Sequence, residues 1–140
     1  MSYQNKINYS TIPNQWFFLN PFKTLNENAF HRIKKNVGVI FFCNDFEKKN
    51  FFKRIEPYVN LCKKKNIKFI VPNSIYWVNK YKANGVMINQ DEMKRKKFHI
   101  LKYNRKILIS SKVHNFKEAI IAKNFSDLIF LSPVFKINST

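Results

Sequence analysis

The sequence predicts an α/β fold built on a parallel sheet, and two observations support this. Short apolar runs alternate with amphipathic, lysine-rich stretches of about ten residues, the pattern of repeated βα units. Several runs, such as 37–42, are continuously apolar, as in strands that are buried on both faces. Two architectures satisfy this pattern, an open doubly wound sheet and a (β/α)8 barrel. A glycine-rich turn would favour the first, but Gly38 and Gly85 are the only glycines and neither lies in a phosphate-cradling loop.

The elements follow in order along the chain. Residues 1–15 are polar and predict a loose N-terminal arm before a single domain over 16–140. The predicted strands are 16–19, 37–42, 67–71, 85–88, 106–110 and 127–131, and the predicted helices are 26–35, 46–66, 74–82, part of 90–104, and 115–124. Pro57 has no amide hydrogen, so we expect it to begin a second helical segment or to kink the first. Ser74 is the expected N-cap of the third helix.

Composition restricts the functional classes. Lys and Arg number 26 against 8 Asp and Glu, a formal charge of +18 that favours anionic partners. Lys greatly outnumbers Arg and is spread along the chain, whereas readers of nucleic-acid grooves usually need Arg. A basic nucleic-acid-binding module is therefore the less favoured alternative.

The expected location is the cytoplasm, without a membrane partner. Cys43 and Cys62 form no CxxC motif, and thiols of this kind suit a reducing compartment. The N-terminus lacks the pattern of a signal peptide, and its apolar run over 16–19 is too short to cross a bilayer.

Polar residues follow most of the predicted strands. In a barrel, the loops at the carboxyl ends of the strands form the active site. The segments in that position are 43–45, 72–74, 89–92, 111–115 and 132–140. The last of these combines hydroxyls with Lys136, which indicates the edge of an anion site.

Three of these segments resemble one family. "IVPNSIYWVNKYKANGVMINQDE" (70–92) is similar, without a gap, to the span of thiamine phosphate synthases that runs from an Asn-Asp-Arg strand end to an "ADGVHLGQED"-type strand end. "KVHNFKEAIIA" (112–122) is similar to the "SVHN" turn and helix of that family, and "DLIFLSPVFKINS" (127–139) to its last strand and phosphate loop. The resemblance extends from about residue 37 to residue 140 and includes the related thiazole tautomerases (TenI-like proteins). It implies a (β/α)8 TIM-barrel fold.

The resemblance also implies a reaction and a set of ligands. The family joins a hydroxymethylpyrimidine pyrophosphate to a thiazole phosphate, and Mg²⁺ assists the departure of pyrophosphate. Carried over by position, the metal ligands fall on Asn73, where the family has Asp, and on Glu92. The phosphate and substrate contacts fall on Lys112, His114, Asn115, Ser132, Lys136, Ser139 and Thr140. The family's anion-gripping Gln, Arg and Lys fall near Ile40, Phe42 and Asn44, so those contacts are replaced, and no catalytic residue is assigned.

Simpler interpretations stand beside these. Glu92 also fits a solvated carboxylate near lysines, Asn73 fits a turn residue after Pro72, and Asn115 fits a helix cap. The replaced anion contacts leave two functional alternatives, an impaired synthase and a non-catalytic relative that binds the same small molecules.

The number of strands raises a question of completeness. A closed barrel of this type needs eight strands, and six leave two edges unpaired. The alternatives are a fragment of a longer protein, a homo-oligomer that covers the open edges, and a barrel with fewer strands. We expect a fragment, because the sequence stops inside a phosphate loop.

Overall fold

The computed structural model describes residues 9–23, 30–34, 36–43, 48–89, 92 and 106–131. Within them lie six strands: β1 (Gln15–Leu19), β2 (Val37–Phe41), β3 (Phe69–Pro72), β4 (Gly85–Ile88), β5 (Leu108–Val113) and β6 (Leu128–Leu131). The α-helices are α1 (Lys48–Lys65), α2 (Ile75–Tyr81) and α3 (Phe116–Ala122), and a short 3-10 helix covers Tyr9–Thr11. All six predicted strands are therefore confirmed.

The strands form one parallel sheet in the order β1-β2-β3-β4-β5-β6. A doubly wound sheet reverses its strand order at a switch point, and this sheet has no reversal. Each strand pairs with the next in sequence, as in a barrel. The structure confirms the barrel-type α/β fold in an incomplete, six-stranded form.

The two faces of the sheet bury different side chains. The helices pack on the outer face, where Phe41, Phe69 and Val71 meet the apolar side of α1. The inner face holds a second cluster, built from Trp16, Phe18, Ile40, Ile70, Met87, Leu128 and Phe130. Phe130 of β6 contacts two rings of β1 edge-on, Trp16 at 6.3 Å and Phe18 at 5.4 Å between ring centroids. The sheet is thus curled so far that its first and last strands meet through their inward side chains.

Helix α1 continues through Pro57, so the expectation of a second helical segment at this residue is wrong. Pro57 is exposed and cannot donate to the carbonyl of Lys53, a loss of about 3 kcal/mol by helix propensity. The side chains that outweigh it are fully buried and recur every three or four residues: Phe51, Ile55, Val59 and Cys62. Each contributes about 1.5–3 kcal/mol on burial, which is enough to keep the helix intact. Whether Pro57 kinks it stays a prediction.

The predicted caps of the two shorter helices are present. Ser74 Oγ accepts a hydrogen bond from the Trp77 amide at 3.3 Å at the start of α2. Asn115 Oδ1 accepts one from the Glu118 amide at 2.8 Å at the start of α3.

Some predicted elements lie largely outside the described residues. Of the helix over 26–35, Phe30 and His31 are described as helical, and of 90–104 only Glu92 is. The predicted arm is described from residue 9, where Trp16 Nε1 donates to the Pro13 carbonyl at 3.0 Å. The arm and the domain boundary therefore stay predictions.

Strand β5 differs from its predicted bounds in a way that affects the site. The predicted strand 106–110 ended at Ser110, the first of two serines, but the observed strand extends to Val113. Ser110 Oγ donates to the Val86 carbonyl at 2.6 Å, which satisfies the hydroxyl inside the sheet. Lys112 is consequently a strand residue paired with Phe130, and not part of the following loop.

Candidate ligand-binding site

A pocket of about 270 Å³ opens at the carboxyl ends of β2 to β5. One wall is aromatic and comes from the end of β2 and the first turns of α1: Phe41, Phe42, Phe51 and Phe52. The polar lining follows the next strands and includes Asn73, Ser74, Asn89, Glu92 and Lys112. Ligand pockets of α/β barrels lie at this end of the sheet. The structure therefore brings three predicted site residues, Asn73, Glu92 and Lys112, into one pocket.

Glu92 is held by two asparagines. The side-chain Nδ2 of Asn73 donates to Glu92 Oε2 at 2.8 Å, and the backbone amide of Asn89 donates to Glu92 Oε1 at 3.1 Å. In return, Asn89 Oδ1 accepts from the Glu92 amide at 2.8 Å. The reciprocal pair of Asn89 and Glu92 is a capping box, in which the two side chains satisfy each other's backbone amides. Glu92 is thus a fixed, half-buried carboxylate.

Lys112 enters the pocket from the inner face of the sheet. Its Nζ lies 6.0 Å from the centroid of the Phe18 ring and 5.8 Å from that of Phe42. These cation–π distances are at the outer limit of a useful attraction. Within the described part of the chain, Lys112 Nζ has no carboxylate or hydrogen-bond partner. The ammonium group is therefore half-buried beside aromatic rings and lacks a counter-ion there.

The aromatic wall is held from behind by α2. The ring of Phe52 stacks on that of Trp77, with centroids 4.7 Å apart and planes 5° from parallel. The Tyr81 hydroxyl donates to the Phe52 carbonyl at 2.7 Å. Burial, followed by the nearby Glu56 carboxylate, raises the pKa of Tyr81 to about 12, so this hydroxyl keeps its proton as a donor. Phe41 and Phe51 are fully buried, so the ring surface that this packed wall offers to a planar ligand is that of Phe42 and Phe52.

His114 and Asn115 lie beside α3 and do not line this pocket. Asn115 caps the helix, and the His114 amide donates to Glu118 Oε1 at 2.8 Å. The Nδ1 atom of His114 is buried and has no hydrogen-bond partner among the described residues. The predicted contacts Ser132, Lys136, Ser139 and Thr140 lie outside the described residues. The ligand roles of all six stay predictions.

The positions that correspond to the family's anion-gripping residues are apolar where they are described. Ile40 is fully buried in the inner cluster, and Phe42 forms part of the aromatic wall. Asn44 lies outside the described residues. Among the residues that the structure describes, the β2 side of the pocket therefore offers rings and no positive charge.

The described residues of the pocket do not fit a Mg²⁺ site. Mg²⁺ requires oxygen ligands in near-octahedral geometry. The amide nitrogen of Asn73 faces Glu92 Oε2 and so occupies the place where a cation shared by the two side chains would lie. Nowhere in the described ranges do three His, Cys, Asp or Glu side chains gather closely enough to hold a metal. We therefore derive no step through a metal ion.

The sequence did not indicate the aromatic wall, and it gave Asn89 only as part of the strand-end segment 89–92, without a role. The four phenylalanines have the spacing of ordinary core residues, and only the curl of the sheet shows that they face a pocket. Asn89 was open to prediction, because Asn followed three residues later by Glu is the pattern of a capping box.

Comparison with protein families gives a match over most of the chain. The family model described as thiamine monophosphate synthase matches residues 20–139, which is most of the chain. No curated protein matches the chain. In the portion of the chain described by the structure, no helix is long and apolar enough to cross a membrane.

Proposed function

Because the chain belongs to the thiamine monophosphate synthase family, we propose that its pocket binds phosphorylated thiazole and pyrimidine compounds. We further propose that the chain joins a hydroxymethylpyrimidine pyrophosphate to a thiazole phosphate. In this reaction the thiazole nitrogen attacks the pyrimidine methylene carbon, and pyrophosphate leaves with the electrons of the broken C–O bond.

The observation that carries this proposal is the composition of the pocket. A packed aromatic wall faces Lys112, and the amide groups of Asn73 and Asn89 lie between them along the strand ends. An aromatic heterocycle with a phosphate group has the complementary chemistry, since its ring stacks and its anion approaches the ammonium group. At about 270 Å³ the described pocket is close to the lower limit of about 300 Å³ for drug-sized ligands, and suits one ring with its phosphate.

Catalysis of this transfer depends mainly on position and charge. Holding the thiazole nitrogen in line with the methylene carbon removes much of the entropic cost of a bimolecular step. Fixed positive charge and hydrogen-bond donors stabilise the departing pyrophosphate. In this proposal the aromatic wall orients the rings, and Lys112 with the Asn73 amide supplies the electrostatic part.

The apolar side chains at Ile40 and Phe42 favour a second candidate, a non-catalytic relative that binds the same compounds. A pyrophosphate that meets rings on the β2 side has fewer charged contacts, and each lost charged hydrogen bond costs about 1.5–3 kcal/mol. The two candidates share the ligand and differ in turnover.

Two measurements test the proposal. Trp77 stacks on the pocket wall, so its fluorescence is expected to change in a saturable way when a thiazole phosphate binds. Release of pyrophosphate is then followed with each substrate alone and with both together. Release that requires both substrates supports the synthase, whereas binding without release supports the non-catalytic candidate. If neither compound binds, the proposed function is wrong.

The same titration tests the phosphate loop that the sequence predicts. Ser139→Ala is expected to weaken binding of the thiazole phosphate by about tenfold, the effect of losing about 1.4 kcal/mol. For the location of the protein we propose the cytoplasm, with support from Cys43 and Cys62, which are not joined in a disulfide.

A further inference from the structure

The positive charge of the pocket comes from an unusual place. Lys112 lies on the inner face of β5, paired with Phe130 of β6 and opposite Phe18 of β1. A lysine in such a position loses part of its hydration, and cation–π contacts near 6 Å return little of that energy. An ammonium group held this way, without a counter-ion in the described part of the pocket, is an attractive site for an anion.

The acidic side chain of the pocket, Glu92, already accepts hydrogen bonds from its neighbours. Each oxygen of the Glu92 carboxylate accepts a hydrogen bond, one from Asn73 and one from the Asn89 amide. The described lining contains one acidic and one basic side chain, Glu92 and Lys112, so its formal charges cancel. A divalent cation would have to displace the Asn73 amide and would lie in a pocket that already holds a cation, at an energetic cost.

These two observations lead to one conclusion about the ligand. We infer that Lys112, in place of a bound Mg²⁺ ion, neutralises the phosphate of the ligand, so that phosphate esters bind to this pocket independently of Mg²⁺. The inference rests on the proposed function, because it concerns the same pocket. It adds that the positive charge missing from the described residues on the β2 side is supplied from β5, across the inner face.

The test is calorimetric titration of the full chain with a thiazole phosphate and, separately, with inorganic pyrophosphate. Each titration is run in excess EDTA and in excess MgCl₂ at matched ionic strength. The variants are Lys112→Met, Lys112→Arg, which keeps the charge, and Lys63→Met as the control. Lys63 is an exposed lysine near the end of α1, away from the pocket.

The expected result is the same dissociation constant in EDTA and in MgCl₂, within about twofold. Lys112→Met is expected to weaken binding at least about tenfold in both, the effect of removing one charged contact. Lys112→Arg and Lys63→Met are expected to bind nearly as the parent chain does. Circular dichroism of Lys112→Met checks that the variant is folded. If it is not folded, the inference is judged on Lys112→Arg and on the comparison of the parent chain in EDTA and in MgCl₂.

The outcomes separate the inference from the proposed function. Binding that requires MgCl₂, or that Lys112→Met leaves unchanged, overturns the inference while the proposed ligand stands. Pyrophosphate that binds through Lys112 in EDTA, with no binding of thiazole phosphate, supports the inference and contradicts the proposed ligand. Binding of neither compound contradicts both.

Discussion

The contact between Asn73 and Glu92 gives the sharpest prediction, because replacing the side-chain NH2 group of Asn73 by oxygen turns the contact into a pair of carboxylates. Asn73→Asp replaces the donor amide, 2.8 Å from Glu92 Oε2, by a second carboxylate oxygen. The lost hydrogen bond to a charged group is worth about 1.5–3 kcal/mol. Two carboxylates about 4 Å apart repel by about 1 kcal/mol in water and about 4 kcal/mol at the effective dielectric constant of a protein surface.

Protonation limits the penalty. Keeping a carboxyl of ordinary pKa near 4.3 protonated at pH 7 costs about 3.7 kcal/mol, so the repulsion cannot exceed that value. Together the two contributions predict that Asn73→Asp lowers the free energy of unfolding by about 2.5–6.7 kcal/mol at pH 7 without metal.

The assay is thermal unfolding with and without MgCl₂, with KCl added to match ionic strength. Asn73→Asp places a second carboxylate beside Glu92. Mg²⁺ at one hundred times its dissociation constant would then raise the free energy of unfolding of this variant by about 2.7 kcal/mol. The parent chain and Asn73→Ala, which loses the hydrogen bond without gaining a charge, are expected to show no such response. The reasoning is refuted if Mg²⁺ stabilises the parent chain equally, or if Asn73→Asp is as stable as Asn73→Ala in EDTA.

Three further predictions concern the fold. In Gly38→Ala the new Cβ would lie 2.3 Å from the Trp16 ring. Urea unfolding should therefore show a free energy of unfolding lower by about 1–3 kcal/mol, and adding Trp16→Leu to the same chain should reduce this loss. An unchanged free energy of unfolding in Gly38→Ala would contradict the close packing. Burial raises the pKa of Cys62 to about 12, so native protein at pH 8 should leave this thiol unalkylated. The unfolded thiol releases its proton first, so stability falls between about pH 9 and 12, and Cys62→Ala should flatten that decline. In chemical denaturation, Asn115→Ala should lower the free energy of unfolding by about 1 kcal/mol, and Asn115→Asp, which keeps an acceptor oxygen, by much less. Equal losses in the two variants would argue against the helix cap.

The fold was predictable from the sequence because its central strands, β2 to β5, are buried on both faces. Short, continuously apolar runs between predicted helices, such as 37–42, indicate buried strands, and each of them is a strand in the structure. The end of β5 was not predictable in the same way. Ser111 looks like a loop residue until its partner is known, the Ser126 hydroxyl at 2.5 Å, and the hydroxyl of Ser110 is satisfied by the Val86 carbonyl. Those partners come from other strands and loops, so no local pattern reveals them.

The site shows the same division between local and long-range information. Asn115 as a cap follows from its own neighbours in sequence, whereas the contact of Asn73 with Glu92 joins residues nineteen apart and depends on how β3 and β4 align. The sequence placed both residues at strand ends and so predicted their proximity. It could not show that they would satisfy each other, because the donor atom of Asn73 is chosen by the packed structure.

The curl of the sheet explains how a charge on β5 can replace one expected on β2. In a flat sheet these strands lie three positions apart, about 14 Å at the usual spacing between strands. Here the inward side chains converge, and Lys112 Nζ lies 5.8 Å from the ring centroid of Phe42, at the end of β2. A positive charge from either strand therefore reaches the same pocket. Under the proposed function, the barrel fold fixes where the phosphate binds, while the strand that supplies the charge is free to change.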